Sequence, residues 1–209
     1  MIATDDQQRA VNKLRRLKVG ALFMEMGTGK TKVALDLMAD RQKKVEMNVW
    51  VCPCSLKATI EEERQKWHPE LSLTVVGVES IGASDRIFLN LLNAMAPHNN
   101  RVFLVVDESL KIKNIKAKRT KRLLELSGYA SYKLILNGTP LSKNILDLYS
   151  QMRFLSDKIL PENGTASAIC TASTGRPECA RGASSAPAMC PTLSAESPRM
   201  SMTRRSTSA

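Results

Sequence analysis

Two short groups of residues carry side chains that can act on a phosphate. The first is Met26-Gly27-Thr28-Gly29-Lys30-Thr31. Two glycines allow a tight turn that leaves backbone N–H groups open to an anion. A lysine can then reach the terminal phosphates of a nucleotide, and the next hydroxyl can hold Mg²⁺. A bare Gly-Lys-Thr is as often an ordinary loop. What favours phosphate is a strand feeding the loop and a helix leaving it, because the helix N-terminus adds converging N–H groups and the positive end of its dipole. Val19–Phe23 is an apolar run suited to that strand, and Val33, Ala34, Leu37 and Met38 then recur at helical spacing. The strict phosphate-loop pattern also wants a glycine five residues before the second one, and Met24 stands there.

The second group is Asp107-Glu108, at the end of the wholly apolar run Val102–Val106. Two neighbouring carboxylates repel each other, so packing gives no reason for the pair. In isolation an acidic pair after a strand is most often a helix cap. Downstream of a phosphate loop it has a chemical use: Asp107 can hold the metal that bridges the phosphates, and Glu108 can orient and deprotonate an attacking water. Lysine, metal ligand and base must act together, so the fold has to bring these groups to one place.

The elements that would position them follow from periodicity. Helices are predicted over Asp5–Lys18 (capped by Thr4 or Asp5), about Lys30–Asp40, from a Ser55 cap to about Trp67, over Asp85–Met95, about Lys116–Ser127 and about Asn144–Phe154. In the last, Ile145, Leu148, Met152 and Leu155 form the apolar stripe. Strands are predicted at Val19–Phe23, Met47–Cys52, Leu73–Val78, Val102–Val106 and Lys133–Leu136. Continuous apolar strands alternating with helices mean a mostly parallel sheet covered on both faces, an α/β fold. Ligands of such sheets sit off the carboxyl ends of the strands, where both chemical groups lie.

Composition bounds the rest. A chain of 209 residues can build one domain with a sizeable core, and its formal charge of +11 suits a polyanionic partner or serves solubility. No apolar run approaches the length of a membrane span, and the N-terminus is too acidic and polar for a secretory signal. A cytoplasmic setting is expected. Cys52, Cys54, Cys170, Cys179 and Cys190 lack paired C-x-x-C spacing, so free thiols are expected rather than a metal cage. Beyond Glu162 the chain has no Lys, Val or aromatic residue, and carries five Arg against two Glu. Such a segment cannot bury enough apolar surface to offset its ordering entropy. Residues 1–160 are therefore expected to be the folded lobe. Residues 161–209 are expected to be a disordered tail, either a natural low-complexity one or an out-of-frame product. The basic run Lys111, Lys113, Lys116, Lys118, Arg119, Lys121 and Arg122 fits either contacts to nucleic-acid phosphates or a solvated helix face. It has no interleaved aromatic residue for base stacking.

Taken in order, Gln7, MEMGTGKT, VCPCSL, VVDESLKIKN and LNGTPLSKNILDLYSQMRFL resemble the motifs of superfamily-two helicases. More closely, they are similar to the first lobe of Snf-type DNA translocases, including small phage and bacterial relatives, over about residues 5–160. The resemblance implies a RecA-like lobe that binds ATP and Mg²⁺. Gln7 would read adenine, and Met26, Gly27, Thr28, Gly29, Lys30 and Thr31 would form the nucleotide loop. Asp107 and Glu108 would serve metal and water, with Thr31 as the second metal ligand. Gly138, Thr139 and Pro140 would couple hydrolysis to movement on DNA, and Pro53 and Ser55 would lie near a DNA strand. The implied partner is DNA, duplex and without sequence preference.

The chain also departs from the family. Leu110 stands where the family usually has histidine, and Asn137 replaces the commoner threonine. Nothing after Leu160 resembles the second lobe that brings an arginine finger, a group worth about 10³–10⁵ in turnover where it is known. Such a lobe is expected to bind ATP and hydrolyse it poorly unless a second lobe joins it. Two other readings stand beside the ATPase: a nucleotide-gated nucleic-acid-binding module without turnover, and a nonfunctional truncated product.

Overall fold

Apolar residues that are β-branched or aromatic crowd into five short runs, and each run becomes a strand. A computed structural model of the chain describes residues 4–139 and 146–159. All of these fall in one compact unit, Met1–Thr174, whereas a second unit, Gly175–Ala209, lies wholly outside the described residues. The tail expected over 161–209 and the site residue Pro140 lie outside them too.

The elements run α1 (Asp5–Leu14), β1 (Val19–Phe23), α2 (Lys30–Asp40), β2 (Met47–Cys52), α3 (Lys57–Trp67), β3 (Thr74–Gly77), α4 (Val78–Ala83), α5 (Asp85–Met95), β4 (Val102–Val106), α6 (Lys118–Ser127), β5 (Tyr132–Asn137) and α7 (Leu146–Leu155). The five strands form one sheet in the order β1-β5-β4-β2-β3, and every neighbouring pair is parallel. Parallel neighbours need crossovers, and these put helices on both faces.

Strand side chains alternate, so each face has its own core. One face collects Leu22, Trp50, Phe103, Val105 and Leu136 under Val11, Val33, Leu37 and Ile60 of the first three helices. The other collects Val49, Val51, Leu104, Val106 and Ile135 under Ile81, Leu91, Leu123 and Phe154. Trp50 and Phe103 are fully buried.

The structure corrects several local expectations. Ser55 does not cap α3: it sits in a 3₁₀ turn over Cys54–Leu56 that leads into the helix without a side-chain cap. The strand expected to run to Val78 ends at Gly77, because Val78 and Ile81, three apart, turn inward as the buried face of the short helix α4. Thr4 does cap α1, in a reciprocal arrangement with Gln7.

The register brings the carboxyl ends of all five strands to one edge. Phe23 pairs with Asn137, Val106 with Ile135, Val51 with Val106, and Cys52 with Gly77. The residues that follow β1, β5, β4 and β2 (Met24, Gly138, Asp107 and Pro53) therefore share that edge.

Candidate functional site

The loop between β1 and α2 starts at this edge. Gly27 (φ 79°) and Gly29 (φ 84°) both adopt the left-handed conformation that other residues resist. Beside Gly27 there is open space where a Cβ would stand. Gly29 has a neighbour: an added Cβ would come within 2.4 Å of Gln7 Nε2. This glycine both makes the turn and admits the glutamine. Gly29 is also the N-cap of α2, whose first turn has no capping side chain and no acidic residue. The orphan N–H groups and the positive end of the dipole are left for an anion.

Lys30 lies folded over its own loop. Its Nζ donates to the carbonyls of Met24 (3.0 Å) and Glu25 (2.9 Å) rather than to a carboxylate. Neutral carbonyls hold an ammonium less firmly than an anionic phosphate would, so the amine is placed to be recruited. Thr28 Oγ1 ties the loop back to the Glu25 carbonyl at 2.7 Å, and Thr31 is half-buried in the first turn of α2. Met26, at the tip, is 85% exposed. Gln7 reaches in from α1: Nε2 donates to the Thr28 carbonyl at 2.9 Å while Oε1 accepts from Thr4 N–H. A residue twenty-one positions away in sequence thus lies against the loop.

Asp107 follows β4, fixed by its own N–H to the Val51 carbonyl at 2.7 Å. The carboxyl is only 8% exposed. Burial raises its pKa above the usual carboxylate value, and the neighbouring Glu108 charge adds to this. The Glu108 N–H at 2.9 Å, the Lys30 ammonium and the Trp50 indole oppose the shift. The Trp50 Nε1 is buried without a hydrogen bond of regular geometry. A poorly solvated carboxylate is a strong site for a divalent cation. Glu108 itself has φ 50° and ψ 54°, left-handed for a residue with a side chain. That conformation costs about 1–2 kcal/mol and persists only where neighbours enforce it, most often at functional sites. Thr31 and Asp107 are the residues that could hold a metal, with Lys30 and the α2 N-terminus facing the charges it would leave uncompensated.

Behind the acidic pair runs a polar relay that sequence reasoning missed. Ser109 is fully buried, and its Oγ donates to Gln151 Oε1 at 2.5 Å. Asn137 Nδ2 donates to Ser109 Oγ at 3.5 Å, and Gln151 Nε2 donates to the Asp147 carbonyl. Next to it, Ser150 Oγ donates to the Ile112 carbonyl at 2.6 Å. The relay ties the loop after β4 to the end of β5 and to α7. Leu110, in the histidine position, takes no part in these bonds, and the hydrogen-bonding work falls to Ser109, Asn137 and Gln151. Gly138 and Thr139 follow directly on β5, so of the coupling residues only Pro140 is outside the described range.

Pro53 is buried and Ser55 exposed beyond β2. Cys54, between them, donates its N–H to Glu79 and lies 3.3 Å from Ser80 Oγ. The basic run is not one uniform surface. Lys111 faces Glu79, Lys113 faces Asp147 and Lys118 faces Asp85. Arg122 is 8% exposed, bonded to Asp85 and donating to the carbonyls of Ile81, Gly82 and Ser84. That arginine belongs to the core of the lobe.

With this geometry in place, similarity to known proteins narrows the reading. The SNF2-related domain matches residues 89–168. The Xenopus tropicalis SWI/SNF-related matrix-associated actin-dependent regulator of chromatin subfamily A-like protein 1 is 30% identical over 146 residues, covering 66% of this chain and 15% of that protein. Helicase SWR1 of Mycosarcoma maydis is 32% identical over 158 residues, covering 65% of this chain and 8% of its own. The chain therefore spans a small part of the curated relatives it matches. Among solved structures, the Sulfolobus solfataricus SWI2/SNF2 ATPase core in complex with dsDNA superposes with a TM-score of 0.67 at 24% identity, covering 82% of this chain and 38% of that one. These matches support the Snf-type helicase reading: the chain is SNF2-related in sequence over residues 89–168 and has the RecA-like fold of a lobe of the SNF2 ATPase core.

Proposed function

We propose that residues 4–159 form the first, ATP-binding lobe of a Snf-type motor, and that this lobe binds ATP with Mg²⁺ and contacts duplex DNA. The observation that carries the reading is the convergence, at one sheet edge, of an uncapped helix N-terminus, a lysine whose ammonium donates to loop carbonyls and a buried carboxylate. The loop N–H groups and Lys30 bind and orient the β- and γ-phosphates. Thr31 and Asp107 hold the metal, whose chemistry is to neutralise charge that builds up on the phosphates. Glu108 orients a water and accepts its proton. Gln7, lying on the loop, selects the base. Support for DNA comes from the structural neighbour solved with dsDNA and from the exposed lysines beyond β2 and β4.

Turnover in nucleotide hydrolases of this kind depends on charge compensation from an arginine finger, which the resemblance assigns to a second lobe. The lobe alone is therefore a binder first, and a second RecA-like lobe would make it an efficient ATPase. Lys30→Ala should abolish binding of MgATP, measured by calorimetry on the whole chain. Glu108→Gln should leave that affinity within about twofold and remove residual hydrolysis. Wild-type ATP affinity in Lys30→Ala would defeat the assignment of the loop, and loss of binding in Glu108→Gln would make Glu108 a structural residue. A nucleotide-gated binder without turnover differs in one outcome: ATP changes DNA affinity while phosphate release stays at background.

A further inference from the structure

Gln7 is the one proposed nucleotide-contacting residue that lies outside the phosphate loop, so its aim depends on how α1 is held. The apolar contact is thin. Val11 is the only buried residue of α1, with Ala10 and Leu14 half-covered against the same core. Polar tethers stand at both ends. At the front, Gln7 Nε2 rests on the Thr28 carbonyl at 2.9 Å. At the back, Arg41 reaches across from the C-cap of α2. Its Nη2 donates to the carbonyls of Leu14 and Leu17, both at 2.7 Å, with the Arg15 carbonyl at 3.3 Å. These carbonyls belong to the last residue of α1 and to the turn that follows it, at the negative end of the helix dipole, and a cation is the partner they favour.

Arg41 is itself held firmly. It is 5% exposed, and its guanidinium lies 5.1 Å from the ring of Phe103 and 4.7 Å from that of Tyr132, two aromatic residues of adjacent central strands. Cation–π contact on both rings fixes the plane of the fork relative to the sheet. The helix that starts at the phosphate loop therefore ends in a residue that grips the far end of the helix carrying Gln7.

We propose that Arg41 is a positioning residue for nucleotide selection: by fixing the C-terminal end of α1 against α2 and the sheet, it holds Gln7 on the phosphate loop in the place from which it reads the base. This rests on the ATP-site reading above. Without the tether the C-terminal end of α1 keeps only the largely solvated Arg15–Asp40 ion pair and the thin contact of Val11, and Gln7 loses its aim while the loop, Lys30 and the α2 N-terminus remain intact. A lysine cannot substitute, since a point ammonium lacks the flat face that the two rings engage while the carbonyls are met.

The test compares the whole chain with Arg41→Lys, Arg41→Met, Gln7→Ala and the double variant Gln7→Ala/Arg41→Lys. Affinities for MgATP, MgGTP and magnesium triphosphate are measured, with amide exchange of residues 5–14. Arg41→Lys should weaken ATP about tenfold, the worth of one or two lost base hydrogen bonds, while triphosphate is unchanged. The ATP-to-GTP preference then falls, the α1 amides exchange faster than those of β4, and adding Gln7→Ala costs nothing more. If the preference and α1 exchange in Arg41→Lys stay as in wild type, the proposal is overturned. It is also overturned if ATP, GTP and triphosphate weaken together, the sign of a general loss of structure. Should Arg41→Met fail to fold, Arg41→Lys and Tyr132→Leu, which removes one ring of the clamp, give the same readout. If wild type binds neither ATP nor triphosphate, the nucleotide reading fails and takes base selection with it, while the exchange of α1 still decides the tether. If Gln7→Ala alone leaves the base preference intact, Gln7 is not the reader and the role given to Arg41 in selection falls.

Discussion

Asp107 occupies a poor environment for a carboxylate, and the fold bears the cost of keeping it there. Burial raises its pKa, with the adjacent Glu108 charge adding to the shift. A carboxyl whose folded pKa lies above its unfolded one destabilises the fold when ionised, so the penalty is fully present at neutral pH and fades as pH falls through the folded value. Asp107→Asn keeps an oxygen for the Glu108 N–H and removes the buried charge. It should stabilise the metal-free protein by about 1 kcal/mol near neutral pH, seen as a melting temperature about 2–4 °C higher. The gap to wild type should narrow in mild acid, and Mg²⁺ should no longer raise the melting temperature of the variant. A lower melting temperature at neutral pH would mean that Lys30 and the Trp50 indole already compensate the charge. At this scale the sequence was informative about where Asp107, Lys30 and the glycines stand, beyond the carboxyl ends of β4 and β1, because apolar runs lead into both groups. It could not place Gln7 on Thr28, because nothing local links residues so far apart.

Elements were legible where one hydropathic signal dominated. All five strands and the cores of most helices lie where the apolar runs put them, because parallel strands buried on both faces are continuous apolar stretches. The reading went astray where polar groups are buried. On α7, periodicity favoured Leu148 and Met152, yet the fully buried positions include Ser150 and Gln151, which the relay satisfies. Hydropathy treats such residues as outward-facing, since it does not see their partners. Arginines show this most clearly. Arg41, Arg64 and Arg122 are all nearly buried, and each donates to backbone carbonyls where a chain segment turns: those of Leu14 and Leu17, of Pro69 and Leu71, and of Ile81 and Ser84. For Arg122 the cation also stacks on Phe88 at 5.0 Å. Arg122→Ala would strand the carbonyls after α4 and empty the space beside Phe88. A loss of about 2–3 kcal/mol is expected, measurable by urea denaturation, since buried polar groups left without partners cost that much. A loss under 0.5 kcal/mol would return Arg122 to the solvated face where its sequence neighbours place it.

Across the whole molecule, a formal charge of +11 says that a polyanion is welcome without saying where it lies. The fold sorts those charges. Lys111, Lys113 and Lys118 each face a carboxylate, Arg122 is inside, and Lys116 is exposed in the same run. This run leaves the sheet at the edge that also carries Asp107, Pro53 and Ser55, so a duplex lying there would be near both the lysines and the phosphate loop. Binding through backbone phosphates alone should be indifferent to sequence and steeply dependent on salt. Removing one phosphate contact lowers the slope of log affinity against log salt by about 0.9. Lys116→Ala should therefore flatten that slope by about one for a random duplex, with folding stability unchanged. Arg122→Ala, compared at a temperature where it stays folded, should leave the slope as in wild type. Equal slopes in wild type and Lys116→Ala would move the DNA contact away from this run, and the sheet edge would then owe its basic character to solubility alone. A slope reduced only in Arg122→Ala would imply that a buried arginine is reached by DNA, which requires α4 and α6 to part on binding.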